Sequence, residues 1–182
     1  NCSNSDSEDI LVNVNPDATI TAIVPLCTAD LAVQMSVATS GGTWSGNGIS
    51  SSGLFDPTLA GSGTHTVTYS ISVGNCSGSD SEDILVNVNP DATITAIAPL
   101  CTADLAVQMS AATSGGTWSG TGISSSGLFD PTIAGSGTHT VTYSVTVGNC
   151  SNSDSEDILV NVNPDATITA IVPLCTADLA VQ

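Results

Sequence analysis

Basic side chains are absent from this sequence. Its 182 residues include no Lys and no Arg against 17 Asp and Glu, which gives a formal net charge of -17. Phosphate groups are held by basic side chains, and a field of this sign repels polyanions. Nucleic acid and anionic membranes are therefore excluded as partners. Covalent cross-links built on lysine amines are excluded with them.

Aromatic and charged residues are also scarce, at 3% and 9% of the chain, whereas apolar residues make up 41%. This composition is too apolar for a disordered acidic segment, so we expect a folded protein. No apolar run approaches the ~18 residues that cross a bilayer. We expect no membrane insertion in this segment, and any export signal is expected outside this sequence.

The sequence repeats itself with a period of 74 residues. Residues 75–148 copy residues 1–74 with seven substitutions, and residues 149–182 match residues 1–34 at all 34 positions. Such a period is typical of tandem arrays, whose units fold alike and serve reach, stiffness or multivalency. Because the sequence begins and ends inside a repeat, we expect an excerpt of a longer array with a unit of 74 or 148 residues.

Apolar residues alternate with polar ones along several segments, as half-buried β-strands require. The clearest alternation covers 31–37, 66–73 and 84–88, and shorter strands are expected at 19–23, 42–49 and 54–55. Clusters of Gly, Ser, Asn and Pro separate these segments, and none of them has a helical period. The pattern predicts an all-β fold: tandem immunoglobulin-like β-sandwich domains arranged linearly.

The prolines Pro16, Pro90 and Pro164 mark the predicted domain boundaries, because proline ends a strand and stiffens a short linker. The predicted segments are 1–15, the last strand of a preceding repeat; 16–89 and 90–163, two immunoglobulin-like repeats; and 164–182, the first strands of a following repeat.

Three runs of the repeat carry a resemblance to a known family: 41–46 (GGTWSG), 54–69 (LFDPTLAGSGTHTVTY) and 74–77 (GNCS). They resemble the PKD-like or Ig-like tandem repeats of giant bacterial cell-surface and secreted proteins. The resemblance covers the whole repeat and implies adhesins, surface filaments and matrix proteins, without identifying a ligand. The chain departs from that pattern at His65 and His139, where such repeats often carry a Tyr that anchors a corner between strands.

Six cysteines recur at fixed positions without a CxxC pair: Cys2, Cys27, Cys76, Cys101, Cys150 and Cys175. They are typical of structural disulfides in an oxidising, extracellular compartment. Pairing within one domain, Cys27 with Cys76 and Cys101 with Cys150, is the simpler arrangement. In an immunoglobulin topology those places lie at opposite poles, too far apart for a disulfide, and pairing between domains would join Cys27 to Cys150. The sequence leaves both open, and the two outermost cysteines need partners outside it.

Acidic residues near a predicted boundary form a candidate calcium site: Asp80, Glu82, Asp83 and Asp91. Carboxylates are hard oxygen ligands that suit Ca²⁺. The alternative, which we favour because no spaced calcium-loop motif occurs, is a charged strand edge that discourages pairing with other chains. No other cofactor is expected. Nothing resembles a substrate pocket around these carboxylates, so no catalytic residue is predicted and we do not expect an enzyme.

The aromatic and imidazole side chains have two interpretations each. Trp44 and Trp118, flanked by Gly and Ser, could stack on a sugar ring, but a core position in a sandwich is favoured. His65 and His139 are the only histidines, and one histidine per repeat makes neither a metal cage nor the base of a nucleophile. We therefore expect them to pack in the core or at a corner.

Three asparagines, Asn1, Asn75 and Asn149, begin Asn-Cys-Ser and fit the N-glycosylation pattern. Taken together, these observations predict a structural extracellular filament or stalk protein built of tandem disulfide-stapled domains. Its expected partners are neighbouring repeats and other copies in a fibre. The alternative is an adhesin repeat that binds glycans or Ca²⁺.

Overall fold

The computed structural model describes residues 2–168. Within them the fold is β-sheet with two single-turn helices, which confirms the all-β class. The chain divides into two compact units. The first comprises the described chain up to Thr93, Ala111–Gly116 and Tyr143–Asp154, and the second comprises Ile94–Ser110, Thr117–Thr142 and the described chain from Ser155. No helix in the described residues has the length and apolar character needed to span a bilayer.

The elements recur along the chain, each one in the second series lying 74 residues after its counterpart. The first series is β1 Leu26–Cys27, β2 Val33–Gln34, β3 Thr43–Gly46, β4 Leu54–Phe55, α1 Pro57–Ala60, β5 Gly63–Val73 and β6 Cys76–Asn87. The second series is β7 Leu100–Cys101, β8 Val107–Gln108, β9 Thr117–Gly120, β10 Leu128–Phe129, α2 Pro131–Ala134, β11 Gly137–Val147 and β12 Cys150–Asn161.

A four-stranded sheet in the order β1-β6-β5-β3 forms the centre of the first series, and β2 and β4 form a separate two-stranded sheet. The hairpin β5–β6 is antiparallel, from Val73 opposite Cys76 to Gly63 opposite Val86. The short β1 joins the far end of β6 in the parallel direction, with Cys27 opposite Asn87. In the second series the corresponding sheet has the order β7-β12-β11-β9.

The core forms on one face of the long hairpin β5–β6, the face that carries its apolar side chains. Val67, Tyr69 and Ile71 on β5 and Ile84 and Val86 on β6 are buried. They pack in one cluster with side chains from the other strands and the preceding segment: Ala18, Ile20, Leu26, Met35, Trp44 and Phe55. The core tryptophan predicted at position 44 is confirmed, since only 7% of its surface is exposed.

The part of β6 before Ile84 is polar and lies outside the segment 84–88, whose alternation predicts a strand. Its hydroxyl and carboxylate groups bond across to β5: Thr66 Oγ1 donates to Asp83 Oδ1 over 2.6 Å, and the hydroxyls of Thr68 and Ser81 lie 2.9 Å apart. Cross-strand pairs of this kind stabilise a solvent-facing sheet without apolar residues. Hydrophobic alternation therefore locates only the end of β6, which carries Ile84 and Val86.

Two sequence expectations about the early strands are wrong in detail. The strand expected at 19–23 is a single bridge between Ile20 and Val37, and Leu31, expected to face inward, is 88% exposed. The inward-facing residues of that segment begin only at Val33, because residues 27–30 form a turn. In this turn the Asp30 amide donates to the Cys27 carbonyl, and the Asp30 carboxylate accepts from the Cys27 amide. The turn removes Leu31 from the sheet.

Candidate functional site

A disulfide joins Cys27 to Cys150, residues that are 123 apart in sequence and come from different copies of the repeat. Their Cα atoms are 5.7 Å apart, which is a normal separation for a cystine. Both residues belong to the first compact unit. Cys27 is 4% exposed and Cys150 is fully buried, so the bond is shielded from solvent.

Cys27 is held by the strand pairing and by a local turn. Its backbone amide donates to Asp30 Oδ2 over 2.7 Å, and the next amide, that of Thr28, donates to the Asn87 carbonyl over 2.9 Å. The first bond closes the turn after β1, and the second fixes the end of β1 against the end of β6. Cys150 opens β12 directly after a tight turn in which Gly148 has a φ of +63°, a region that favours glycine.

Asparagine amides surround the disulfide. Asn149 Nδ2 donates to the Pro25 carbonyl over 2.7 Å and lies 3.6 Å from Cys27 Sγ. Its Oδ1 accepts from Asn87 Nδ2 over 2.7 Å. Asn89 connects the same two segments, because its Oδ1 accepts from the Ala29 amide at 3.1 Å while its Nδ2 donates to the Ser151 carbonyl at 3.4 Å. The cystine therefore lies in a network of neutral amide hydrogen bonds.

The absence of basic residues explains why amides hold this site. A chain without Lys or Arg cannot use them to pair with its carboxylates, and two acidic surfaces brought together repel each other. Asn both donates and accepts without charge, so it forms polar contacts without bringing further negative charges together. Asn152 continues the pattern by donating to the Pro90 carbonyl over 3.0 Å. At its counterpart Gly78, a Cβ would collide with the Pro16 carbonyl oxygen in the conformation that this segment adopts.

The pairing of Cys27 with Cys76 is not the one that the structure contains. Cys76 opens β6 and Cys27 lies opposite Asn87, the last residue of that strand. Eleven residues of extended strand separate the two places by about 35 Å, far beyond the reach of a disulfide. Cys2, Cys76 and Cys101 are free thiols in the described part of the chain, and Cys175 lies outside the described residues.

The candidate calcium ligands are distributed over different hydrogen bonds. Asp80 accepts from the Ile20 amide over 2.9 Å and Asp83 accepts from Thr66, while Glu82 lies opposite Val67. Asp91 accepts from the amide and hydroxyl of Thr93, both through Oδ1. No group of three or more His, Cys, Asp or Glu side chains that could hold a metal occurs within residues 2–168. The calcium site stays a prediction.

The pKa of the Asp91 carboxyl group reports on its hydrogen bonds to Thr93. The Thr93 hydroxyl and then the Thr93 amide lower the pKa of Asp91 below its ordinary value of 3.8, and the same arrangement lowers the pKa of Asp17 beside Thr19. A lowered folded-state pKa means that these hydrogen bonds stabilise the fold above pH 3.8 and are lost as the pH falls through the lowered value. In a carboxyl NMR titration, Thr93→Val should move the pKa of Asp91 back towards 3.8.

Thr93→Ser is the matched control for that titration, because it keeps the hydroxyl that contributes most to the shift. An unchanged pKa of Asp91 in the Thr93→Val protein would show that the hydroxyl does not bond to the carboxylate in solution.

The tryptophans and histidines lie in or near the core. The Trp44 ring centroid is 5.0 Å from that of Tyr69, and Trp118 is 8% exposed, which leaves little ring surface for a sugar. His65 Nε2 donates to the Gly61 carbonyl over 2.8 Å, and its ring lies beside Phe55. His139 Nε2 makes the same bond to Gly135 at 2.9 Å. The histidines therefore tie the start of the long strands to the loop after each helix.

Of the three glycosylation candidates, Asn1 lies outside the described residues. Asn75 is exposed in the β5–β6 turn. The Asn149 amide nitrogen, to which a glycan would be attached, is occupied by the Pro25 carbonyl. A glycan at Asn149 would therefore disrupt the network around the disulfide, whereas one at Asn75 would not meet that obstacle in this structure.

No protein-family model matches the chain, and no curated protein matches it. The resemblance to PKD-like repeats therefore stays an interpretation of the residues.

Sequence reasoning did not identify the asparagines of the disulfide network. Asn87 and Asn89 stand at polar positions of the alternation around 84–88, which predicts only that they lie on the outer face of a strand. The available signal was the recurrence of Asn-Val-Asn-Pro and Gly-Asn-Cys in a chain that lacks basic residues. In such a chain, repeated Asn beside Cys indicates where neutral polar contacts are needed.

Proposed function

We propose that this chain is a structural, extracellular segment of a filament or stalk, built of tandem immunoglobulin-like domains and without catalysis. The observation that carries the proposal is the disulfide between Cys27 and Cys150, which links two copies of the repeat. A cystine buried in a hydrogen-bonded network resists both reduction and separation of the segments that it joins. A load-bearing array needs this property.

The sheet topology supports the immunoglobulin-like part of the proposal. A first strand that runs parallel to the last one, a long antiparallel hairpin and a second small sheet are features of such sandwiches. The core around Trp44 and Tyr69 fits the same architecture. The domain boundaries at Pro16, Pro90 and Pro164 belong to this proposal.

The disulfide also supports an extracellular location, because cystines persist in oxidising compartments. A net charge of -17 keeps neighbouring filaments apart and soluble. The partners are then neighbouring repeats and further copies of the chain. The adhesin alternative has no comparable support, since the Trp44 ring that would stack on a sugar is buried.

Small-angle X-ray scattering of the oxidised chain tests whether the cystine restrains the array. We expect the oxidised protein to give a narrow distribution of interatomic distances with a well-defined maximum. The double variant Cys27→Ser with Cys150→Ser should give a broader distribution, because only the hydrogen-bond network then restrains the linked segments.

Cys76→Ser is the matched control, since it also replaces a cysteine but leaves the disulfide intact, and it should scatter like the unmodified chain. Equally broad distributions for the oxidised chain and the double variant would contradict the proposed stiffening role.

A further inference from the structure

Asn47 and Gly48 form the only Asn-Gly pair in the sequence. The side-chain nitrogen of Asn47 also lies beside an imidazole, with Nδ2 3.2 Å from His65 Nδ1. We propose that Asn47 is a self-modifying site, at which the chain expels ammonia from the asparagine side chain and His65 supplies the proton for the departing nitrogen. The product is an aspartate or an isoaspartate at position 47, in the first copy of the repeat alone.

The hydrogen bonds of the His65 ring determine which nitrogen carries the hydrogen. Nε2 lies 2.8 Å from the Gly61 carbonyl oxygen, which can only accept, so Nε2 carries the hydrogen of the neutral ring. Nδ1 is then a bare lone pair that accepts from Asn47 Nδ2. When the ring takes up a second proton, that proton resides on Nδ1. The exchangeable proton of His65 is therefore held next to the atom that must leave as ammonia.

The Asn47 amide is held at a second point as well. Its Nδ2 donates to the Ala60 carbonyl over 3.0 Å, so two hydrogen bonds fix this nitrogen in front of His65. The residue is otherwise exposed, so water reaches its Cγ. A proton donor is effective when it lies within hydrogen-bond reach of the reacting atom, and Nδ1 meets that condition.

The glycine after Asn47 serves the fold as well as the reaction. Gly48 has a φ of +76°, and a Cβ there would lie 2.5 Å from the Ala60 Cβ. The missing side chain also leaves the Gly48 amide nitrogen unobstructed, and this is the atom that must reach Asn47 Cγ. Packing therefore requires a glycine at position 48, and the reactivity of a preceding asparagine is a consequence.

The second copy of the repeat shows that this local fold does not need the asparagine. Thr121 stands in its place, while Gly122 keeps a φ of +79° and the same 2.5 Å approach to the Ala134 Cβ. His139 Nε2 keeps its bond to the Gly135 carbonyl at 2.9 Å. The second copy thus has the turn and the histidine without the reactive amide, and it serves as an internal control.

The reaction begins when the Gly48 amide nitrogen gives its proton to water and attacks Asn47 Cγ, which forms a new C–N bond and a tetrahedral intermediate. In that intermediate Nδ2 is an amine whose lone pair accepts a proton, whereas in the starting amide the lone pair is delocalised. His65 Nδ1 donates its proton to Nδ2, the Cγ–Nδ2 bond breaks, and ammonia leaves a succinimide. Because the donor bonds to the intermediate and not to the amide, it lowers the barrier. Water then reprotonates His65 and opens the succinimide at either carbonyl, and no electrons are transferred.

The product changes the contact between this turn and the end of α1. A carboxylate oxygen in place of Nδ2 faces the Ala60 carbonyl oxygen, and two acceptors repel each other. Isoaspartate also lengthens the main chain of the turn, next to the bond from the Asp56 amide to the Gly48 carbonyl at 2.8 Å. Each event adds a negative charge. The modification therefore loosens the turn in the first copy and leaves the second copy unchanged, so the two copies come to differ with age.

The test follows the oxidised full-length chain during incubation in warm, neutral buffer. Samples are digested with pepsin at low pH, because the chain has no site for trypsin, and the peptide around position 47 is measured by mass spectrometry. We expect this peptide to gain the mass difference between an acid and an amide, while the peptide around Thr121 keeps its mass. Asn47→Gln should keep its mass over the same period, because its longer side chain closes a ring far more slowly.

The variant His65→Phe tests whether the imidazole supplies the proton. It keeps a ring beside Phe55 but removes Nδ1, so we expect the folded variant to lose the Asn47 amide at least ~tenfold more slowly. His139→Phe is the matched control, because it makes the same replacement beside Phe129 in the copy that has no asparagine at this position. It should leave the rate at Asn47 unchanged.

A histidine that only supports the turn would give the opposite sign, since a looser turn lets the Gly48 nitrogen reach Cγ more easily. A His65→Phe protein that reacts as fast as the unmodified chain, or faster, would therefore overturn the inference. A second comparison needs no variant: the folded chain should react at least as fast as the chain in urea, where unfolding separates His65 from Asn47. An Asn47 that reacts more slowly in the folded chain than in urea would equally overturn it.

Discussion

Reduction of the Cys27–Cys150 bond in a chain held under tension is expected to release about 400 Å of additional length. The bond closes a loop over 123 residues whose ends lie 5.7 Å apart at Cα. An unfolded residue spans at most about 3.3–3.6 Å, so the loop stores that length for as long as the bond remains. While the bond is intact, force applied along the chain passes from Cys27 to Cys150 through the two sulfur atoms. It therefore does not extend the residues between them.

Single-molecule pulling in optical tweezers measures this release directly. Handles are attached at the two chain ends through groups other than thiols, and the chain is extended first without and then with a reductant. Before reduction, unfolding inside the loop should add no length. After reduction the same molecule should lengthen by the full contour of the loop, in steps that correspond to the unfolding of its sheets.

Controls distinguish this bond from the alternative pairing. Cys150→Ser should behave without reductant as the reduced chain does, and Cys76→Ser should behave as the oxidised chain. Bonds between Cys27 and Cys76 and between Cys101 and Cys150 would instead enclose 49 residues each and release two lengths of about 170 Å. A chain that extends equally in both redox states would show that the cystine does not carry the load.

The long hairpin illustrates how much of the fold the sequence predicts. Val67, Tyr69 and Ile71 alternate with hydroxyl residues, and the structure buries those three side chains. The period of two is visible there because one face meets the core and the other meets water. Short elements lack this signal: β1 has only Leu26 and Cys27, and two residues have no period. Its parallel pairing with β6 is a tertiary contact that no local pattern contains.

The site was harder to predict than the fold, because it depends on distances between segments far apart in sequence. The spacing of Cys27, Cys76 and Cys150 left two pairings open. The length of β6 decides between them, since it separates Cys76 from the end that holds Cys27. The polar first half of β6 carried no hydrophobic alternation, so its full length could not be predicted. The asparagines Asn87 and Asn149 gain their role only when that geometry is known.

The pair Gly41-Gly42 shows a related limit of sequence analysis. The sequence assigns both glycines to a turn, whereas the structure gives them different roles. Gly41 has a φ of +104° and open space where a Cβ would be. The Gly42 amide donates to the Tyr69 hydroxyl over 2.7 Å, and that hydroxyl donates to the Thr39 carbonyl over 2.8 Å. Tyr69, and not residue 65, therefore anchors the strand corner. The backbone at Gly42 must approach the ring too closely for a side chain.

Gly42→Ala is accordingly expected to destabilise the first compact unit by roughly 3 kcal/mol or more, a cost typical of severe overpacking and strain. The new Cβ would collide with the Ser70 carbonyl oxygen and lie 2.6 Å from Tyr69 Cζ, and a backbone oxygen in a sheet cannot move away. Urea unfolding of the oxidised chain measures the change by fluorescence in a Trp118→Phe background, which leaves Trp44 as the single tryptophan. Gly41→Ala is the neighbouring control and should lower the free energy of unfolding by only about 1 kcal/mol. Its new Cβ meets no atom, and only the positive φ disfavours a side chain there. If the two substitutions cost the same, the contact between Gly42 and the Tyr69 ring does not govern this corner, and the glycines serve the turn equally.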